Sequence, residues 1–176
     1  RIDEERYVWL DKFTIKNLEL FHSPYEGART LIDVIDRTIS PMGGRLLKRW
    51  ISLPLKDIQP VNERLDMVQH LIGNQLFRDE VIRLVRQVGD LERLVSKVAM
   101  NRINPREVVQ LKRALKAIEP LQELCRKSGC QPLVSLSEQL NPCRTIAERI
   151  ESELNEDPPV QISRGSAIST GISKEL

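Results

Sequence analysis

Thr38-Ile39-Ser40-Pro41-Met42-Gly43-Gly44-Arg45-Leu46-Leu47-Lys48-Arg49-Trp50, running on into Leu53-Pro54-Leu55, decides the fold class. Ser40 before Pro41 is an N-cap and first-turn pair. The serine hydroxyl can accept from a helical amide that has no carbonyl partner, and proline has no amide to leave unpaired. Leu46, Leu47, Trp50 and Ile51 then recur on one helical face until Pro54 stops the helix, and Leu46, Leu47 and Trp50 are expected to form core. Gly43 and Gly44 cost helix propensity in that first turn. They imply either a close approach of backbone to a neighbour or a frayed start.

Outward from this helix the chain reads as mostly α. Leu31, Val34 and Ile35 recur at helical spacing from about Arg29. Downstream, Gln59-Pro60 opens a helix expected to turn Val61, Leu65, Val68 and Ile72 inward, with Gly73 as its stop. Phe77, Val81, Leu84 and Val85 continue the same period, and Asp90 leads an amphipathic segment carrying Leu91, Leu94, Val95, Val98 and Ala99. Asn104-Pro105-Arg106-Glu107 is a capping box with proline in the first turn, ahead of Val108, Leu111, Leu115 and Ile118. Pro120 is expected to kink or end that helix. Ser128-Gly129 and Pro132 mark a loop, Asn141-Pro142 reads as another cap, and Ile146, Ile150 and Leu154 follow it.

The two ends read differently. Tyr7 to Leu20 alternates imperfectly and holds β-branched and aromatic residues, so a short strand or extended entry is expected. Beyond Asp157-Pro158-Pro159, Val160-Gln161-Ile162 and Ala167-Ile168-Ser169 flank Arg164-Gly165 as a hairpin-like excursion. Ser173-Lys174-Glu175-Leu176 reads as the first turn of another helix. The expected fold is mainly α: a multi-helix bundle with a short extended N-terminal segment and a small hairpin near the C-terminus. Its parts are a lead-in over 1–28, a helical body over 29–157, and the hairpin with its following helix start over 158–176.

Composition narrows the function classes. With 176 residues, 40% apolar and 30% charged, the chain can bury a core and is too rich in aliphatics for wholesale disorder. Lys and Arg (27) nearly balance Asp and Glu (25), so bulk charge gives no argument for nucleic-acid binding. Cys125, Cys130 and Cys143 form no CxxC pair, which fits a reducing, cytoplasmic setting better than a disulfide framework. No apolar run reaches the roughly 18 residues of a membrane span. Arg1 in place of a start Met suggests a piece of a longer protein.

The chemistry-bearing residues are sparse. His22 and His70 have no partner at metal-ligand spacing. There is no GxSxG, and Gly43-Gly44-Arg45 has neither the spacing nor the lysine of a phosphate loop. Asp33 with Asp36, and Asp90 with Glu92, read as caps or solvated face. No catalytic, cofactor-binding or metal residues are assigned. Two basic clusters could hold phosphates: Arg45, Lys48 and Arg49 on one helix, and Arg102 and Arg106, with Lys112, Arg113 and Lys116 beyond them. Aromatics at 4% are too few for a single-strand stacking surface.

The residues together resemble a family. Thr30 to Thr38 leading into Ser40 to Trp50 is similar to the start of the core, or lever, domain (domain III) of MutS-type DNA mismatch-repair proteins. Leu10 to Leu20 resembles the lead-in, Gly89-Asp90-Leu91-Glu92-Arg93-Leu94 with Asn104-Pro105-Arg106-Glu107 a second block, and Pro158-Pro159 with Gly165 to Gly171 the approach to an inserted clamp. The four blocks cover nearly the whole chain in order. Lys97 departs from the arginine common in the family, and Gly44 from alanine or serine. The resemblance implies a parent that dimerises around duplex DNA, recognises mismatches, uses ATP and Mg, and recruits a MutL-type factor. Its mismatch-reading and ATPase parts would lie outside this chain, leaving a non-catalytic connector between ATPase and clamp. Gly43, Gly44, Leu46, Leu47, Trp50, Asn104 and Glu107 are then architectural. Two other readings stand beside it: an autonomous duplex-binding module using the basic clusters, and a protein–protein adaptor, which would leave an apolar patch exposed.

Overall fold

The structure, a computed structural model, describes residues 6–160 and 166–169. Among these its regular elements are all helices: α1 (Lys12–Asn17), α2 (Leu31–Ile35), α3 (Pro41–Ser52), α4 (Ile58–Gly73), α5 (Gln75–Val88), α6 (Leu91–Ala99), α7 (Pro105–Arg126), α8 (Gln131–Glu138) and α9 (Arg144–Glu153). Extended pairing among the described residues is limited to two isolated antiparallel bridges, Tyr7 with Leu55 and Leu154 with Ile168. The chain divides into two compact units, residues 1–70 and 71–176.

In the first unit short helices are set by caps. Asp11 accepts from the Thr14 amide at the start of α1. Thr30 and Asp33 form a reciprocal capping box on α2, the Thr30 amide donating to Asp33 Oδ2 at 3.0 Å. Leu20 and Ile32 are the buried aliphatics here, joined by the Ile32 amide donating to the Leu20 carbonyl. The entry segment is extended only near its start, where the Val8 amide donates to the Pro54 carbonyl at 2.7 Å. Lys12–Asn17, expected to be extended, is helical instead. Its aspartate cap satisfies the first turn, and a local hydrogen bond outweighs the weak strand preference of an isolated segment.

Two core expectations fail on α3 and α4. No residue of α3 is buried: Leu46 is 47% and Trp50 39% exposed, and Leu47 is only half-buried. The Trp50 ring is covered instead by the Arg64 guanidinium, 3.6 Å from its centroid, a cation–π stack that partly desolvates the arginine. On α4 the stripe expected to turn inward faces solvent. Val61, Leu65, Val68 and Ile72 are all exposed, while Pro60, Arg64 and Met67 are half-buried. Periodicity finds an apolar face but cannot say whether anything covers it.

The second unit is organised by one helix. α5, α6, α8 and α9 all pack on the 22-residue α7. Leu111, Leu115 and Ile118 are buried, and so are Val109, Ala114, Ala117 and Cys125 on further faces. A helix buried on several sides needs small residues where neighbours approach, and the alanines provide that. Pro120, expected to kink or end the helix, lies inside it, and α7 continues to Arg126. Packing on several sides offsets the missing amide and the ring's crowding of the preceding turn. Gly89, between α5 and α6, sits at φ 62° and ψ −136°, a conformation only glycine adopts readily.

α9 begins two residues later than the Asn141-Pro142 reading places it. Asn141 Oδ1 accepts from the Cys143 amide at 2.9 Å, closing a turn, and Cys143 at φ 46° is the N-cap residue with no side-chain cap bond. After α9 the chain doubles back. The Asn155 amide donates to the Ala167 carbonyl and the Ser169 amide to the Glu153 carbonyl, so Ala167-Ile168-Ser169 pairs with the end of α9 at residues 153–155, while the arm expected to face it, at Gln161-Ile162, lies outside the described residues. The expected turn at Arg164-Gly165, and the helix start at Ser173, also lie outside them.

Candidate functional site

The residues singled out by sequence fall at two places, one in each unit. In the first unit, the chain before α3 forms a tight corner. Thr38 donates to Asp36 Oδ1 from its hydroxyl at 2.6 Å and its amide at 3.0 Å, and this holds the Asp36 carboxyl below its ordinary range. Ser40 Oγ accepts from the Gly43 amide at 3.1 Å. A Cβ on Gly43 would stand 3.2 Å from Ser40 Oγ, and one on Gly44 3.3 Å from Thr38 Oγ1. The close approach at these glycines is therefore to the chain's own preceding turn. A side chain at either position would crowd the cap that starts the helix.

In the second unit the site is the joint at the start of α7. Asn104 Oδ1 accepts from the Glu107 amide at 3.0 Å, and Glu107 Oε2 accepts from the Asn104 amide at 3.1 Å. The other Glu107 oxygen takes an ion pair from Lys97 on α6. The Lys97 ammonium, then the Asn104 amide, hold Glu107 below the usual carboxylate range. One carboxylate thus caps α7 and ties α6 to it. Replacing Asn104 with Ala is expected to cost about 1 kcal/mol of stability, read by urea unfolding; an unchanged midpoint would mean that the box contributes nothing.

Arg106 sits one residue along. Its Nε–H donates to the Pro158 carbonyl at 2.9 Å, and its guanidinium lies 3.5 Å from Asp157 Oδ1. Pro158 is itself fully buried. The start of α7 therefore grips the segment leading from α9 into the hairpin. Asn155 Nδ2 adds a bond to the Ser166 carbonyl at 2.7 Å.

The basic clusters lie in different units. Arg45, Lys48 and Arg49 are exposed on α3, while Arg102 is exposed in the turn between α6 and α7. Arg106 has the intramolecular partners just described. Lys116 donates to both Glu151 oxygens at 2.6 Å, and buried Lys112 lies 4.0 Å from the same carboxylate, tying α7 to α9. Between α5 and α7 an open groove of about 540 Å³ is lined by Arg83, Arg113 and Lys116 with Leu84 and Ala117. Two of those cations are already paired, Arg83 with Glu80 and Lys116 with Glu151. The groove carries too little uncompensated charge to be a phosphate cradle.

Sequence reading missed the ties that cross between elements: Arg64 on Trp50, Lys97 on Glu107, Arg106 on Pro158, and Gln122, whose Nε2 donates to the Ser137 and Leu140 carbonyls. No local signal marks them, because their partners lie outside the three-to-four-residue reach of a helical turn. Among the described residues no three His, Cys, Asp or Glu side chains gather where a metal could sit, and no helix is long and apolar enough to cross a membrane. The sequence carries no GxxxxGK[ST] phosphate loop.

Comparison with known proteins places the chain in a family. The family model described as MutS domain III matches residues 13–173. DNA mismatch repair protein MutS of Phocaeicola vulgatus is 52% identical over all 176 residues, and those of Bacteroides fragilis and Parabacteroides distasonis are 51% and 49% identical over the same span. The chain spans 20% of the length of each of these relatives. With a capped central helix, a gripped segment after α9 and a family match across nearly its whole length, this chain belongs to the MutS domain III family.

Proposed function

We propose that this chain is the connecting helical body of a DNA mismatch-repair protein, coupling an ATPase domain to a DNA clamp without catalysis of its own. The observation that carries this is the build of α7. It is one uninterrupted helix, about 33 Å long at 1.5 Å per residue, with four other helices packed on it. At its start, Arg106 holds the segment that leads into the hairpin, and the Lys97–Glu107 pair ties α6 to it. A helix packed on several sides bends little, so displacement at one end is delivered at the other as a rigid-body shift. In this reading ATP and Mg, a second subunit and a MutL-type partner engage the parent protein elsewhere, in the cytoplasm.

On this reading DNA contact is borrowed from neighbouring domains. Lys48 and Arg49, exposed on α3, favour a second reading as a sequence-blind phosphate surface, with Arg45 as a further contributor on the same helix and Arg102 as a separate candidate in the other unit. Arg106 fits it less well, because its Nε–H is already donated within the chain. Fluorescence anisotropy with matched and mismatched duplexes, from low to physiological salt, separates the two. The connector reading expects weak binding, equal for both duplexes and lost as salt rises. Tight binding that survives salt, or prefers the mismatch, would overturn it and place recognition in this chain.

A further inference from the structure

The groove between α5 and α7 holds a cation that no other described residue engages. Arg113, exposed on α7, has no hydrogen bond, ion pair or ring contact among the described residues. Its cationic neighbours differ: Arg83 is held by Glu80 on α5, and Lys116 by Glu151 on α9. Lys112 draws on the same Glu151 carboxylate, so pairing leaves an excess of positive charge here. No carboxylate lines the groove. Gln87, exposed on the α5 side, has a side-chain amide that likewise bonds to no other described residue. Pro120 adds an acceptor. It has no amide, so the Lys116 carbonyl one turn earlier lacks its helical donor. Buried Leu84 and Ala117 form an apolar floor, and the small Ala117 side chain gives the groove its depth.

We propose that this groove docks a short extended segment of a separate partner protein, carrying one carboxylate two residues away from an aliphatic side chain. Charge complementarity selects the carboxylate. One unpaired guanidinium suits a single carboxylate through two parallel N–H···O bonds, whereas a run of phosphates would need several. Spacing selects the extended chain. From Arg113 to Ala117 is about 6 Å along α7 at 1.5 Å per residue. Alternate residues of an extended chain point the same way about 6.6 Å apart, so a carboxylate at Arg113 sets the second residue along over the apolar floor. The peptide group between them can pair with the Gln87 amide, which both donates and accepts, and can donate to the Lys116 carbonyl. Arg113 to Pro120 spans about 10 Å, the reach of three extended residues. The source follows from the rim. Arg83, Arg113 and Lys116 are all exposed, and a permanent domain contact would have to desolvate them, so an exchangeable partner fits better than a fixed one. Nothing in this groove depends on the proposed connecting role.

Fluorescence anisotropy of the 176-residue chain with two amidated, rhodamine-labelled probes tests this. The probes are Ser-Glu-Ser-Leu-Ser and the reverse order Ser-Leu-Ser-Glu-Ser, since the groove accepts either chain direction. At least one is expected to bind at low salt, and to weaken about 10-fold when glutamine replaces its glutamate or when Arg113→Ala removes the guanidinium. Arg126→Ala, which removes an exposed cation of α7 outside the groove, should leave affinity unchanged. Arg113→Glu should reverse the preference, so that a lysine form of the probe binds in place of the glutamate form. That reversal separates charge matching from loss of fold, and helical circular dichroism verifies each variant. The full-length parent should bind the same probe with unchanged affinity. Failure of both probes to bind would overturn the proposal, as would binding indifferent to Arg113 or to the glutamate. Displacement by free glutarate at the probe's own concentration would make a small dicarboxylate the occupant instead. Binding by the chain but not by the parent would mean that the parent's own polypeptide fills the groove, and would overturn it too.

Discussion

Replacing Leu84 with Ala is expected to lower the stability of the α5–α9 unit by about 3 to 4 kcal/mol, measured as a shift in the urea midpoint of helical circular dichroism with an unchanged slope. Leu84 is 1% exposed, the least accessible large side chain of α5, on the face that packs against α7. Truncation removes three carbon atoms from a buried environment and leaves a space that α7 cannot close, because its small residues there are already at close approach. Domains of this size keep only about 5 to 15 kcal/mol in reserve, so such a loss is a large share of the whole. Hydrogen exchange localises the effect: amides of α5 and α7 should lose protection together. A loss below about 1 kcal/mol would mean that the α5–α7 contact is not where the unit's stability resides.

Gln122→Leu is expected to cost about 2 kcal/mol, although leucine matches glutamine closely in size. The Gln122 amide donates to the Leu140 carbonyl at 2.8 Å and to the Ser137 carbonyl at 3.0 Å, bridging α7 to the end of α8. Ser137 keeps a second donor in the Leu140 amide, so its carbonyl loses little. The Leu140 carbonyl loses its side-chain donor, and a half-buried acceptor without a partner is the larger part of the cost. Gln122→Glu discriminates. It keeps the length of the side chain and presents a carboxylate that cannot donate, so at neutral pH it should be no more stable than the leucine variant. If both variants unfold at the wild-type midpoint, solvent replaces the bridge and α8 is held by its apolar face alone.

The features of this chain that were readable without coordinates share a short range. The Ser40 cap acts on an amide three residues away, as do the two halves of the Asn104–Glu107 box. The stops at Pro54 and Gly73 are equally local. Where two local preferences competed, reading failed: the β-branched and aromatic lead-in hid α1, whose Asp11 cap outweighs strand preference. Pro120 shows the reverse: it does not end α7, because its local cost is offset by neighbours packed around the helix.

The candidate site shows the same division. Asn104 and Glu107 could be placed because a capping box is written in four consecutive residues. The ion pair that gives Glu107 its second task could not, since Lys97 belongs to another helix. Charge alone groups Arg106 with phosphate-binding cations, yet its Nε–H donates to the carbonyl of Pro158, 52 residues further on.

By itself, the sequence determined where α3 and α7 begin and where α3 and α4 stop, which side of each helix is apolar, and the family to which the order of its blocks belongs. These follow from interactions within a turn or two of the chain, which are present whatever surrounds them. Only the tertiary structure decided which apolar faces are covered. The stripe of α7 is core because four helices converge on it, while the equally regular stripe of α4 is open. Burial is a property of two surfaces, and a periodic sequence states only one of them.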